Sequence, residues 1–165
     1  MRIPEFDQLP AEQAAAVLRP CADIDSFVHA LVAGRPYGSV EALLAAARTS
    51  AAAWTDAEVE GALADHPRIG ERPSGTGASA ALSGGEQAGV DPADEELQRR
   101  LAAGNRRYEE RFGRIYLVRA AGRSGPELLA LLEQRLGNDP GMELGVTRRE
   151  LAEIALLRLA GLVTP

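Results

Sequence analysis

At 165 residues, 45% of them hydrophobic, the chain is long enough to bury an apolar core as one domain, residues 1–165. Its formal net charge is −6, with 18 arginines and no lysine; the missing lysine excludes a lysine Schiff base and a lysine-dependent phosphate loop, and the negative charge argues against a nucleic-acid surface. One cysteine and two histidines leave no disulfide framework and no spacing for a structural zinc site.

There is no cationic-then-apolar leader and no apolar run of membrane-spanning length, so a soluble, cytoplasmic protein with no membrane partner is expected. Along the chain, Pro10 opens a helix through Leu18 that Pro20 closes. Asp23 or Asp25 caps a second, with Gly34 past its end. Ser39 precedes an alanine- and leucine-rich run to about Trp54. Thr55-Asp56-Ala57-Glu58 has capping-box spacing and starts a helix ending near Asp65, where Pro67 bars continuation. Residues 70–91, rich in Gly with Ser, Thr and Pro, read as a loop or irregular turns, and so long a loop points to function. Asp91-Pro92 opens a polar helix to about Phe112, ended by Gly113. Ile115-Tyr116-Leu117-Val118 is a lone extended segment, too little for a sheet. Ser124 caps a helix from Pro126 to Leu136, which Gly137-Asn138-Asp139-Pro140 terminates. A last helix runs from about Met142 to Leu162. The fold expected is an all-α, single-domain bundle of about seven to eight helices with one short extended segment.

Two segments concentrate the chemistry. In Asp65-His66-Pro67-Arg68-Ile69-Gly70-Glu71 an imidazole lies at a helix end, flanked in sequence by the carboxylates of Asp65 and Glu71, a candidate acid or base near neutral pH. The competing reading is a helix C-terminal cap, where a cation suits the dipole. In Ser83-Gly84-Gly85-Glu86-Gln87 a hydroxyl, a carboxyl and a carboxamide fall within five residues. Ser83 and Glu86 also have capping-box spacing, which would hold the carboxyl rigidly, although Gly84-Gly85 makes a poor first turn. On the last helix Arg158 falls within the apolar stripe Leu144, Leu151, Ile154, Ala155 and Leu162. Its guanidinium must snorkel outward, pair with a structural carboxylate, or present a fork to a substrate anion or ureido group. His29 reads as core or surface, Trp54, Tyr108 and Phe112 as core, and Arg99-Arg100 and Arg106-Arg107 as a solvated face.

With these residues in place, the chain resembles the 2-oxo-4-hydroxy-4-carboxy-5-ureidoimidazoline (OHCU) decarboxylase family, which forms (S)-allantoin in uric acid breakdown. The resemblance rests on Leu9-Pro10-Ala11-Glu12, His66 to Glu71, Ser83-x-x-Glu86-Gln87, Asn105 to Gly113, Gly122-Arg123-Ser124, Arg135 to Pro140 and Leu157-Arg158-Leu159. It implies an all-helical homodimer that decarboxylates a small ureidoimidazoline without metal or organic cofactor. It assigns His66 and Glu86 as catalytic. It assigns substrate contacts to Pro67, Ser83, Gln87 and Arg158, and to the backbone of Leu117–Ala120 through Val118 and Ala120. Gly84-Gly85 and Arg119 depart from the family pattern. Such chemistry needs no electron sink beyond the substrate, because the electrons left by carbon dioxide delocalise into the ring as an enolate. The alternatives are a non-catalytic helical binding or dimerisation module, and a hydrolase or cyclase acting on a related ureido ring.

Overall fold

The computed structural model describes residues 1–71 and 78–165, apart from the side chain of Asp65. Among the described residues are nine α-helices, one short 3-10 turn and a single isolated bridge in place of any sheet. The all-α expectation holds. Two short helices were not anticipated, α1 (Ile3–Gln8) and α6 (Ala78–Glu86), the second of which lies within the loop expected over 70–91. Residues 72–77 of that loop lie outside the described residues.

By contact the chain divides into two compact units, Met1–Ala62 with Leu151–Pro165, and Leu63–Glu150. The first holds α1, α2 (Ala11–Leu18), α3 (Asp25–Ala33), α4 (Val40–Ala52) and α5 (Asp56–Ala62). Local chemistry sets their ends. The Arg2 backbone N–H donates to the Glu5 carboxylate at 3.0 Å and starts α1, a helix too short for a periodicity argument. Ser39 accepts from Ala42 N–H at 3.1 Å and caps α4. Thr55 and Glu58 form the expected reciprocal cap, with Thr55 N–H on the Glu58 carboxylate at 2.8 Å and Glu58 N–H on the Thr55 hydroxyl at 3.3 Å. Its core includes Phe6, Leu18, Phe27, Leu31 and Leu43, all at most 1% exposed. Each such side chain contributes roughly 1.5–3 kcal/mol by burial. Trp54 packs edge-on to Phe27 at 5.4 Å, as expected of a core residue, while His29 is exposed.

The second unit holds α6, α7 (Glu95–Phe112), α8 (Gly125–Arg135) and the start of α9 (Pro140–Leu162), which runs on through the division. Leu97, Leu101, Tyr108 and Phe112 of α7 face Leu128, Leu129 and Leu132 of α8 in one apolar cluster. Gly104 makes the approach of these helices possible, since a Cβ there would sit 2.5 Å from Leu132 Cδ2. Two sequence expectations shift. Helix α7 is capped by Asp94, whose carboxylate accepts from Leu97 N–H at 3.0 Å, and Asp91-Pro92 forms a turn before it. Asp139 does not help terminate α8 but starts α9, accepting from the N–H groups of Gly141 and Met142 at 3.1 and 3.0 Å. In both cases the aspartate's carboxylate reaches the free N–H groups of a helix's first turn.

Candidate active site

His66 follows the 3-10 turn Leu63–Asp65, and its N–H donates to the Leu63 carbonyl at 3.1 Å. Pro67 cannot extend the helix, so the chain leaves it as the expected turn and His66, Pro67 and Arg68 lie half-buried. The Asp65 carboxylate of the expected flanking pair lies outside the described residues.

The segment after His66 is irregular backbone, and its polar groups are taken up by side chains from two helices. From α7, Glu109 receives a forked pair from Arg68, Nε to Oε1 at 2.5 Å and Nη2 to Oε2 at 3.0 Å. One turn earlier, Asn105 Nδ2 donates to the Ile69 carbonyl at 2.9 Å. From the end of α6, Gln87 uses both ends of its amide: Nε2 donates to the Arg68 carbonyl at 3.2 Å, and Oε1 accepts from Gly70 N–H at 2.9 Å. Gly70 has φ +90, a conformation that a side chain would strain. The Arg68–Glu109 hydrogen bond pulls the Glu109 carboxyl below its ordinary pKa, against a smaller opposing effect of burial, and raises that of Arg68.

Helix α6 corrects the capping-box reading of Ser83 and Glu86. Both lie in its last turn, where Gln87 N–H still donates to the Ser83 carbonyl at 3.2 Å, so neither caps a helix start. Ser83, Glu86 and Gln87 instead share one helix face by their three- and four-residue spacing. Ser83 is buried and Glu86 and Gln87 are half-buried. Gly84-Gly85 sits in that terminal turn, where glycine weakens a helix least. Gln87 thus ties the end of α6, next to Glu86, to the turn that carries His66.

The third component is the extended segment 114–120, which pairs with no strand among the described residues and is held by side chains. Arg135 Nη1 donates to the Leu117 carbonyl at 2.7 Å, and Arg119 N–H donates to the Glu150 carboxylate at 2.8 Å. Ala120 closes a turn by accepting from Arg123 N–H at 3.0 Å, and Leu117, Val118 and Ala120 are 4%, 3% and 5% exposed. The departure at Arg119 is accommodated locally, since its guanidinium turns back to the Ala121 carbonyl at 3.0 Å.

Arg135 is itself paired with Glu143, which is 0% exposed, at 2.5 Å. The same carboxylate receives the Tyr108 hydroxyl at 2.5 Å and Asn138 Nδ2 at 2.8 Å. Arg135 lies over the Tyr116 ring at 4.9 Å. Burial disfavours the charged guanidinium, but Glu143 and the two tyrosines outweigh it and hold the arginine pKa above its ordinary value. Burial pushes the Tyr116 phenol up.

Arg158 belongs to the first unit and is 4% exposed, with Nη1 donating to the Pro20 carbonyl at 2.8 Å. The snorkelling option for this residue therefore does not apply. Neighbouring Cys21 is buried, which pushes its thiol pKa up to about 12 despite the opposing charge of Arg158. Among the described residues no group of three or more His, Cys, Asp or Glu side chains is placed to hold a metal ion. A surface cleft of about 340 Å³ between α7 and α8, walled by Leu97, Arg100, Leu129 and Glu133, includes none of the expected site residues.

Sequence reasoning missed Asn105, Glu109, Arg135 and Glu143 as supports of the site, and the bonds of Gln87 to the histidine turn. The one available signal was the spacing of Asn105, Tyr108 and Glu109, which puts all three on one face of α7.

Residues 7–160 match the family model described as OHCU decarboxylase. The chain is 32% identical over 136 residues to the 2-oxo-4-hydroxy-4-carboxy-5-ureidoimidazoline decarboxylase of Amia calva, covering 81% of this chain and 78% of that protein. It is 29% identical over 151 residues to the uric acid degradation bifunctional protein TTL of Arabidopsis thaliana, covering 86% of this chain and 45% of that one. Among solved structures, it is similar to an OHCU decarboxylase crystallised in the presence of (S)-allantoin, with TM-score 0.72 and 26% identity over 86% of this chain and 93% of that one. An (S)-allantoin synthase structure shares the fold with TM-score 0.71 at 18% identity, covering 99% of this chain and 54% of that one.

Proposed function

The chain belongs to the OHCU decarboxylase family, and we propose that it is a carboxy-lyase that converts 2-oxo-4-hydroxy-4-carboxy-5-ureidoimidazoline to (S)-allantoin in uric acid degradation. The observation that carries the site assignment is the pair of hydrogen bonds in which Gln87 donates to the Arg68 carbonyl and accepts from Gly70 N–H, joining the residue after Glu86 to the turn of His66.

In this reading the carbon–carbon bond to the carboxylate breaks and carbon dioxide leaves. The electron pair passes into the adjacent ring unsaturation, and one proton added from a single face sets the configuration of the product. His66 polarises the hydroxyl and carboxylate end of the substrate, and Glu86 is its acid–base partner. The chemistry asks for positioning and charge stabilisation, and the chain's own residues supply both. Ser83 and Pro67 border the reacting end, and Gln87 contributes the amide hydrogen that its two backbone bonds leave over. The backbone of Val118 and Ala120 lines the ring edge. Arg158 enters from the resemblance alone, as the group that grips the ring carbonyl or ureido arm. No metal or organic cofactor takes part in the proposed reaction.

One family model runs across both compact units, which supports reading residues 1–165 as a single catalytic domain. A homodimer is proposed on the resemblance, and light scattering after gel filtration checks it. A cytoplasmic location is in keeping with a single, buried cysteine and with the absence, among the described residues, of any helix long and apolar enough to cross a membrane.

The decisive experiment supplies the unstable substrate from urate with urate oxidase and the preceding hydrolase. Circular dichroism should then show (S)-allantoin accumulating faster than without the protein. Binding of the substrate without any gain in rate would favour the non-catalytic module instead.

A further inference from the structure

The face of α7 that bonds to the histidine turn, with Asn105 buried and Glu109 half-buried, has a role that the reacting groups alone do not account for. We infer that Glu109 is a positioning residue for His66, acting through Arg68, with Asn105 as its partner one turn earlier on α7. The inference rests on the functional reading above and extends it to a residue outside the substrate contacts.

Three observations support it. Between Pro67 and Gly70 the chain has no regular structure, so its direction is set by what its polar groups bond to. Besides its own turn bond, Glu71 N–H to the Arg68 carbonyl at 3.1 Å, and an ion pair of Arg68 with Glu71 at 3.6 Å, the segment is tied to helices: to the end of α6 by Gln87, and to α7 by a two-point fork from Arg68 to Glu109 and by Asn105 on the Ile69 carbonyl. Glu109 and Asn105 lie four residues apart on an 18-residue helix whose other face is packed against α8. A bidentate guanidinium–carboxylate pair fixes an angle as well as a distance, which a single hydrogen bond does not. Arg68 is two residues from His66 with only Pro67 between them, so a shift of the Arg68 backbone is passed along the chain to the histidine.

The pair is poorly suited to a purely structural task. Its side chains are 42% and 30% exposed, and pairs that reach water add little to folding stability. Misplacing a reacting group by about an ångström, in contrast, costs up to roughly a hundredfold in rate. Glu109 should therefore be nearly silent in a melting curve and conspicuous in turnover.

The test uses the full chain with Glu109→Gln, Arg68→Met and the double variant. Each single substitution should lower kcat by about tenfold or more with KM held within about twofold, and with the melting temperature nearly unchanged. If Glu109 acts through Arg68, the double variant should lose no more than either single one. The His66 ring resonance should also shift or broaden in Glu109→Gln without any substrate present. Glu96→Gln, which breaks an exposed pair with Arg99 elsewhere on α7, should leave turnover unchanged.

Full kcat in Glu109→Gln, or losses that add in the double variant, would overturn the inference. So would failure of both single variants to fold, because it would make the pair structural. If His66→Ala is inactive while Glu109→Gln is fully active, the inference fails and the functional reading stands. If the unmodified protein forms no (S)-allantoin, the functional reading fails, and the resonance of His66 still decides the positioning role.

Discussion

The histidine turn and the segment 114–120 face the same physical problem and solve it differently. Both are irregular backbone whose polar groups have no ladder or helix to satisfy them. The turn is held by an arginine–glutamate fork that reaches water, by the half-buried amide of Gln87 and by the buried amide of Asn105. The segment is held from inside, by an arginine whose carboxylate partner is fully buried and shared with a tyrosine and an asparagine. Helix α7 serves both, with Asn105 and Glu109 directed at the turn and Tyr108 at the buried network. Exposed bonds define geometry at small cost in stability, whereas a buried ionic network ties geometry to folding itself.

Removing Glu143 should give the largest effect. Glu143→Ala leaves the Arg135 charge buried and unpaired, and the loss expected is about 3–5 kcal/mol by denaturant melts, enough to unfold a marginal domain. A loss below about 1 kcal/mol would erase the distinction between the two regions. Next come His66→Ala and Glu86→Ala, each expected to lower kcat by at least about a hundredfold while the protein stays folded. Near-normal turnover in His66→Ala would remove the turn from the site altogether. Arg158→Ala should mainly raise KM, and loss of the folded state instead would assign that guanidinium to structure. Smaller again is Gly70→Ala, which forces a side chain into φ +90 beside Gln98 and should cost about 1–2 kcal/mol.

The smallest effect is a pH dependence. Glu109 has its pKa depressed in the folded state by Arg68, so its contribution is present above the ordinary carboxylate pKa of 4.5 and is lost as pH falls through the folded value. Melting curves from pH 6 downward should therefore fall less steeply for Glu109→Gln than for the unmodified chain. Parallel curves would show that the fork does not couple to folding at all.

The sequence alone determined what depends on neighbours within a turn. The capping box of Thr55 with Glu58 lies where its spacing put it, and Ser39 and Ser124 cap the helices that they were read to precede, all through short-range hydrogen bonds. The histidine at a proline-terminated turn was legible for the same reason, as was the isolated extended run before Ala120. Choosing between neighbouring candidates was harder. Asp91 and Asp94 offer similar capping chemistry, and the fold uses Asp94. Helix α6 was hidden by its glycines, because local propensity cannot register the tertiary bonds that Gln87 makes at its end.

Tertiary structure decided everything that relies on partners far along the chain. The bonds that shape the histidine turn span 17 to 41 residues. The stripe drawn on α9 placed Leu144 inside, yet the buried residues of its first turns are Glu143 and Thr147, because Tyr108, Arg135 and Asn138 were there to satisfy them. Hydrophobic periodicity assumes that a buried face is apolar. Here the interior face is polar and paired, and only the folded chain brings the pairs within hydrogen-bond range.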